Sequence, residues 1–172
     1  MPKKVYNNIE GHRLIDNGRT VEDVTKFSPP TVKHPTTTIE KVSGMAMDVD
    51  LPDQTHLEPM ELSVVHNNGV NCNYMSDPGK HNMEIRTVRQ RYNVALAEIE
   101  HESVKFRFVA VHVSKENNDV ETGSPYGSTD KFSVLRNEEE VNGEVITIVD
   151  AAAGIIRFNG VDYTNIIESY LS

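Results

Sequence analysis

The feature that most constrains what this chain can fold into is an alternation of apolar and polar residues with a period of two, the pattern of a strand with one buried face. In PMELSVVHNNG, Met60, Leu62 and Val64 face one way and Glu61 and Ser63 the other, until Asn67-Asn68-Gly69 stops the run. In SVKFRFVAVHVSKENND, Val104, Phe106, Phe108 and Ala110 alternate with Lys105, Arg107, Val109 and Val111, so the first half is amphipathic and the second apolar on both faces. KFSVLRNEEEVNGEVITIVD reads as a hairpin. Asn142-Gly143 supplies the two positive-φ positions of a type I′ turn, between arms of about Phe132 to Val141 and Glu144 to Asp150. In the ribbon that follows, Val145, Ile146 and Ile148 are expected to pack into the domain's own core, the small residues Ala151 to Gly154 to permit close backbone approach, and Asn159-Gly160 to turn the chain.

Upstream, Pro29, Pro30 and Pro35 punctuate a β-branched stretch, and proline removes ladder donors, so these segments read as edge strands or the base of an arm. Thr36 to Leu51 reads as a long hairpin turned at Ser43-Gly44, with too little apolar surface to be stable alone. Helix is scarce. In DYTNIIESYLS, Tyr163, Ile166, Ile167, Tyr170 and Leu171 recur with helical spacing behind Asp162, a good N-cap. VRQRYNVALAEIEHES fits a helix through Val88, Tyr92, Ala95 and Ile99 and fits strands nearly as well. Gly69 to Lys80 has room for one short helical turn, cut off by Pro78-Gly79. Ser114 to Asp130 is polar and rich in Gly, Ser and Asn, a loop longer than ordinary connections.

At 172 residues the chain is most simply a single domain spanning 1–172, with enough sequence to bury a core. Cys72 is the lone cysteine, so neither an internal disulfide nor a cysteine metal cage is available. With no apolar run long enough to span a membrane and no secretory leader, the expectation is a soluble, non-secreted protein. A net charge of −9 argues against general affinity for phosphate backbones and suits a surface past which nucleic acid slides without being held. The chain has no tryptophan and only 6% aromatic residues, which disfavours a stacking platform for bases or sugars.

Seven histidines and many acidic residues invite an enzymatic reading, but the spacing of catalytic or phosphate-binding motifs is absent. Cys72 has no basic neighbour close in sequence and reads as an inert, buried thiol. Glu98, Glu100 and Glu102 share one face if extended, with His101 pointing to the other, which makes a poor metal site. Glu138, Glu139 and Glu140 beside the Asn142-Gly143 turn read first as a solvated hairpin tip. Against the overall charge, Arg86, Arg89 and Arg91, with Lys105 and Arg107, form a basic cluster: either a nucleic-acid patch or the partner of the acidic runs on another copy.

Taken in order, these segments resemble the major tail tube protein family of contractile-tailed bacteriophages and R-type bacteriocins. The resemblance covers nearly the whole chain. It rests on VTKFSPPTVKHPTTTIEKVSGMAMDVDLPDQTHLEPMELSVVHNNG, on VKFRFVAVHVSKENNDVETG, and on the closing hairpin with Asp150 and the NGVD of Asn159 to Asp162. The chain departs from the family pattern at Gly69 to Lys80, where a central helix would be expected, and at NVALAEIEHES, which looks like an insertion.

The resemblance implies a mainly β fold, a β-sandwich or barrel-like tail tube domain with one or two short α-helices and long hairpin arms. It implies no enzymatic activity and no cofactor. Hexameric rings would stack into a tube inside a contractile sheath, with tape measure and baseplate or hub proteins as further partners. The tube would be assembled in the bacterial cytoplasm and belong to the virion tail or bacteriocin particle, passing DNA in a phage. Candidate lumen residues are Glu98, Glu100, Glu102, Glu138, Glu139 and Glu140, and candidate inter-subunit arm residues are Thr37, Ile39, Val42, Met45 and Met47. The competing reading is a monomeric β-sandwich module that binds carbohydrate or peptide. A hydrolase built on Glu and His has no supporting spacing.

Overall fold

The computed structural model describes residues 4–67 and 72–172. In chain order the strands are β1 (Lys4–Asp16), β2 (Arg19–Val21), β3 (Val24–Ser28), β4 (Thr36–Ile39), β5 (Val49–Pro52) and β6 (Met60–His66). A 3-10 turn (Asn73–Ser76) leads to β7 (Lys80–Asn93), β8 (Glu98–Asn117), β9 (Ser128–Val141), β10 (Glu144–Asp150), β11 (Ile155–Phe158) and β12 (Val161–Asp162), and the helix α1 (Asn165–Leu171) closes the chain. A 10-stranded antiparallel sheet runs β12-β11-β10-β9-β8-β7-β1-β2, with β6 and β3 branching from β9. Along one edge β9 pairs with β8. Along its other edge it pairs first with β6, from His66↔Ser128 to Met60↔Val134, and then with β10, from Asp150↔Arg136 to Glu144↔Val141.

The change of partner falls at Leu135, where an irregularity in the register also reverses which side chains point inward. Before it, Ser128, Asp130, Phe132 and Val134 are buried; after it, Asn137 lies opposite Phe108 on the core side. The β3–β6 branch curls over the β7–β8 face, bringing Phe27 of β3 edge-on to Phe106 of β8 with ring centroids 5.6 Å apart. Leu14, Leu62, Val64, Met75, Met83, Ile85, Phe108 and Phe132 fill the enclosed core. The alternation read from sequence in β6 and β8 is the alternation of this core.

The stretch that fitted helix and strand equally well is strand: β7 and β8 pair from Lys80↔Val111 to Asn93↔Glu98, turning through residues 94–97 with Ala97 at φ 52°. The polar segment from Ser114 is shorter as a loop than its composition suggested. β8 continues through Lys115 and Asn117 because β9 supplies partners as far as Asn117↔Ser128, leaving residues 118–127 irregular. Gly127 is required there, since a Cβ would lie 2.5 Å from the His66 carbonyl oxygen. The helical turn expected within Gly69 to Lys80 is the 3-10 turn at Asn73–Ser76; residues 68–71, including Gly69, lie outside the described residues.

Asn142 (φ 50°) and Gly143 (φ 87°) form the expected hairpin turn, and Thr36 to Leu51 forms the expected arm, a two-stranded sheet paired from Thr36↔Pro52 to Ile39↔Val49. Three local expectations are corrected. Ile148 lies opposite Glu138 and so faces away from the core, while Val149, opposite Asn137, is buried; Val145 is exposed. Ala151 to Gly154 form an exposed turn rather than a close-packed patch. The N-cap position of α1 is Thr164, and Asp162, two residues earlier, accepts hydrogen bonds from the Thr164 and Asn165 amides and the Thr164 hydroxyl.

Candidate assembly surfaces

Residues directly opposed across an antiparallel pair share a face. On the core face, Met83, Ile85 and Thr87 of β7 oppose Phe108, Phe106 and Val104 of β8, and the same parity carries on to Arg89↔Glu102, Arg91↔Glu100 and Asn93↔Glu98. Glu98, Glu100 and Glu102 therefore continue the core face beyond the apolar core. Glu102 is buried and pairs with Arg89 and with Arg91 Nη1 at 2.9 Å. Glu100 takes hydrogen bonds from Asn93 and Arg91 and an ion pair from Lys4 at 3.4 Å, which hold its carboxyl below the ordinary range. Glu139 is on this face too, opposite Phe106, and burial raises its pKa.

Glu138 and Glu140 point the other way, opposite Arg107 and Lys105. They are not a solvated tip. Arg107 reaches Glu138 at 2.6 Å and Glu140 at 2.8 Å, and Lys105 reaches Glu140 at 3.2 Å. Hydrogen bonds from Lys105 and Arg107 depress the Glu140 pKa. The structure thus divides the candidate lumen glutamates between the two faces of one sheet. It divides the basic cluster as well, with Arg89 and Arg91 on the core side and Arg86, Lys105 and Arg107 opposite. Each of these cations has a carboxylate partner within its own chain.

Strand edges are left open. Residues 4–13 of β1 pair only with β7, and residues 98–102 of β8 pair only with β7, Ser103 being hydrogen-bonded through both its amide and its carbonyl to Asn142, so the β1–β7–β8 extension is open on both sides among the described residues. On the face away from the core this extension presents Val5, Tyr92 and Ile99, all exposed. The arm is a second open element. Thr37 and Ile39 lie on β4, Ile39, Val42 and Met47 are 41%, 58% and 69% exposed, and Met45 is half-buried beside the Val42–Met45 turn. Ile166, Ile167, Tyr170 and Leu171 of α1 are likewise exposed, and α1 borders a groove of about 790 Å³ lined by Leu57, Pro59, Val149 and Ile156 among others.

The sequence reading missed two buried polar clusters. Asp130, fully buried, accepts from His66 Nε2 at 2.8 Å, His112 Nε2 at 2.9 Å and the Ser76 hydroxyl at 3.1 Å. Burial works to raise its pKa, but these hydrogen bonds outweigh it and hold the carboxyl below its ordinary value. Asp16 meets His81 Nδ1 at 2.9 Å, while His81 Nε2 meets the Asp77 carbonyl at 2.7 Å. Burial disfavours the charged imidazole, yet bonds to Asp77 and Asp16 raise the His81 pKa, because both ring nitrogens face acceptors. The edges of His81 and His112 pack against Phe132, each at 5.3 Å between centroids. A signal existed: His66 and Asp130 continue the inward parity of Met60-Leu62-Val64 and of Phe132-Val134.

This is packing chemistry rather than a catalytic relay. Ser128 Oγ and Asp130 contact the same nitrogen of His66, whereas a serine nucleophile and its orienting carboxylate need opposite nitrogens. Cys72 is buried, its thiol pKa raised by desolvation.

The phage tail tube protein FII family model matches residues 7–170 of this chain. No curated protein matches it. Among solved structures it is similar to a chain of the PVC sheath-tube complex of an extracellular contractile injection system in the extended state, at 9% identity and a TM-score of 0.51 over 75% of this chain and 87% of that one. A chain of the PVC sheath/tube terminator is 10% identical with a TM-score of 0.52, over 78% and 96%. A chain of the anti-feeding prophage tube-terminating cap is 13% identical with a TM-score of 0.52, over 75% and 87%. At these identities the likeness is one of fold.

Proposed function

The chain belongs to the phage tail tube protein FII family, a structural and not an enzymatic family, and on that premise we propose that it forms hexameric rings stacked into the hollow inner tube of a contractile phage-like particle. The tube is enclosed by a tail sheath and ends on tape measure and baseplate or hub proteins. Sheath contraction drives it through the target envelope, and its bore passes the genome where the particle is a phage. Subunits are made in the bacterial cytoplasm and end in the particle's tail.

The observation that carries this reading is the β1–β7–β8 extension with both edges open. Unpaired edges are an aggregation liability that native proteins blunt or cover. Pairing the β1 edge of one copy with the β8 edge of the next is a heterologous contact, which closes into a ring when the rotation permits. The arm, paired only with itself, and the exposed apolar stripe of α1 are available for contacts between rings or with the sheath. Negative-stain microscopy at raised protein concentration tests the proposal: rings or tubes with an axial hole are expected, and a persistent small monomer overturns it.

A further inference from the structure

The β1–β7–β8 layer has two unlike ends. At one, β7 and β8 project beyond the last β9 partner as a hairpin whose turn, residues 94–97, is capped by apolar side chains: Val94 and Leu96 are 46% and 62% exposed, and Ile99 beside them is exposed too. The turn is tied down. Asn93, buried, accepts from the Ala95 amide at 3.2 Å and donates to Glu100 at 2.8 Å. Glu98 is exposed, and no cation pairs with it among the described residues; Lys4, at the same level of the sheet, is engaged by Glu100. The other end lies about 45 Å away, along the 14 residues of β7. There Arg19 sits over the Tyr74 ring, Cζ 4.0 Å from its centroid, beside a recess of about 280 Å³ that Asp16, Asn17, Asp77 and Lys80 help to line. Of the carboxylates lining that recess, Asp16 is held by His81 at 2.9 Å and Asp77 accepts the Gly79 amide at 3.2 Å. Arg19 and Lys80 are exposed, and no carboxylate pairs with either among the described residues.

We propose that these two ends meet: the β7–β8 turn of a copy in one ring docks on the Arg19–Tyr74 end of a copy in the next, with Arg19 donating to Glu98 and Leu96 covering the recess. The inference rests on the tube reading. If the β1 and β8 edges close the ring, the hydrogen bonds between strands run round it, and the strands cross from one face of the ring to the other with a tilt of about 35–45°. Strand ends then form the two faces, and stacking sets one kind of end against the other, a head-to-tail contact between copies. Parity selects the partner. Glu98 opposes the buried Asn93 and Arg19 opposes the buried Asp16, so both lie on the core side of the sheet, whereas Lys80 precedes the buried His81 and lies on the opposite side. Rings related by translation and rotation about the tube axis keep the two sides of the sheet in the same sense, so Glu98 meets Arg19 and not Lys80. A guanidinium resting on an aromatic ring keeps its N–H fork free for a carboxylate, and apolar cover from Leu96 excludes water from the pair.

The test is negative-stain microscopy of charge-swapped variants at matched concentration. Glu98→Arg and Arg19→Glu should each still form rings but shorten the mean tube about tenfold, because like charges set against one another at an interface oppose association. The E98R/R19E double variant should recover wild-type length, which a merely structural role of either residue would not produce. Tubes of ordinary length from either single variant, or a double variant no longer than the singles, overturn the inference; the first result leaves the turn to another protein of the particle. Both positions are exposed, and an unchanged urea midpoint checks that the fold survives. If a reversed charge unfolds the protein, E98Q and R19Q make the same comparison: each should shorten tubes, and the two together no further than either alone, since they remove one shared contact. Additive shortening would overturn the pairing. Rings keep the two readings apart: a wild type that forms none counts against the tube itself, whereas rings and full-length tubes from the single variants count only against this contact.

Discussion

Replacing Asp130 with alanine is expected to cost about 3–5 kcal/mol of stability, and the structure shows how that sum arises. The carboxylate is fully buried and accepts from His66, His112 and Ser76. Alanine removes all these acceptors at once, and each buried donor left without a partner costs about 1–3 kcal/mol. The contributions are unequal. His66 is buried and its Nδ1 already has no hydrogen-bond partner, but Ser128 Oγ at 3.2 Å from Nε2 takes up part of the loss. His112 and Ser76 lie nearer the surface and recover part from water. The total is a large share of the roughly 5–15 kcal/mol that holds a domain together.

Urea denaturation at neutral pH is the assay. An unchanged slope and a midpoint lowered by about 2 M are expected for a slope near 2 kcal/mol/M. A loss below about 1 kcal/mol with the same slope would mean that desolvating the carboxylate cancels its hydrogen bonds, and would refute the reasoning. Asp130→Asn should cost less, because His112 can change tautomer and accept from the carboxamide. The sign with pH follows from the depressed pKa: the contribution of Asp130 is fully present above its unfolded-state value and is lost as pH falls through the lower, folded-state value. The wild type should therefore lose this stability in acid, and Asp130→Asn should lack that part of the acid limb.

Gly127→Ala should destabilise the fold by about 1–3 kcal/mol as an overpacked substitution, seen as a lower Tm, because its Cβ would meet two backbone atoms, the His66 oxygen at 2.5 Å and Asn67 Cα at 3.2 Å. Asp53 should titrate at about 2 by carboxyl NMR, held down by hydrogen bonds from the Thr55 amide, the Thr55 hydroxyl and His56; an ordinary aspartate midpoint would contradict that geometry. Replacing Ile39, Val42 and Met47 together with serine should leave urea stability within about 0.5 kcal/mol, as exposed positions do, while abolishing tubes in negative stain; unaltered tubes would remove the arm from assembly.

The strands that sequence reading found most readily were those in which one side of the alternation is apolar without interruption. β6, the inner half of β8 and the β9–β10 hairpin carry that pattern, and Asn142-Gly143 names its own turn because few other residues tolerate two successive positive φ angles. The β7–β8 turn was ambiguous because Val88, Tyr92, Ala95 and Ile99 satisfy a helical spacing; the in-register ladder between β7 and β8 resolves it. The outer part of β8 was invisible for the opposite reason. Lys115 to Asn117 have the composition of a loop and become strand only because Ser128 to Asp130 lie alongside.

The glutamates show the same division. Period-two spacing alone placed Glu98, Glu100 and Glu102 on a common face, and it placed Glu138 and Glu140 together. It said nothing about which face of the molecule each set would occupy. That was decided by the β8–β9 register and the irregularity at Leu135, which turn Glu138 and Glu140 away from the core and set them against Arg107 and Lys105. The sequence by itself determined the strands with an uninterrupted apolar face, the Asn142-Gly143 turn, the arm and the order of elements characteristic of a tail tube, because each rests on near neighbours and on the two-residue period; it did not show β1 (Lys4–Asp16), which has no such face over most of its length. Pairing of charges, burial of Asp130 between two histidines, and the identity of the open edges depend on which distant strands become neighbours. Only the folded sheet could decide them.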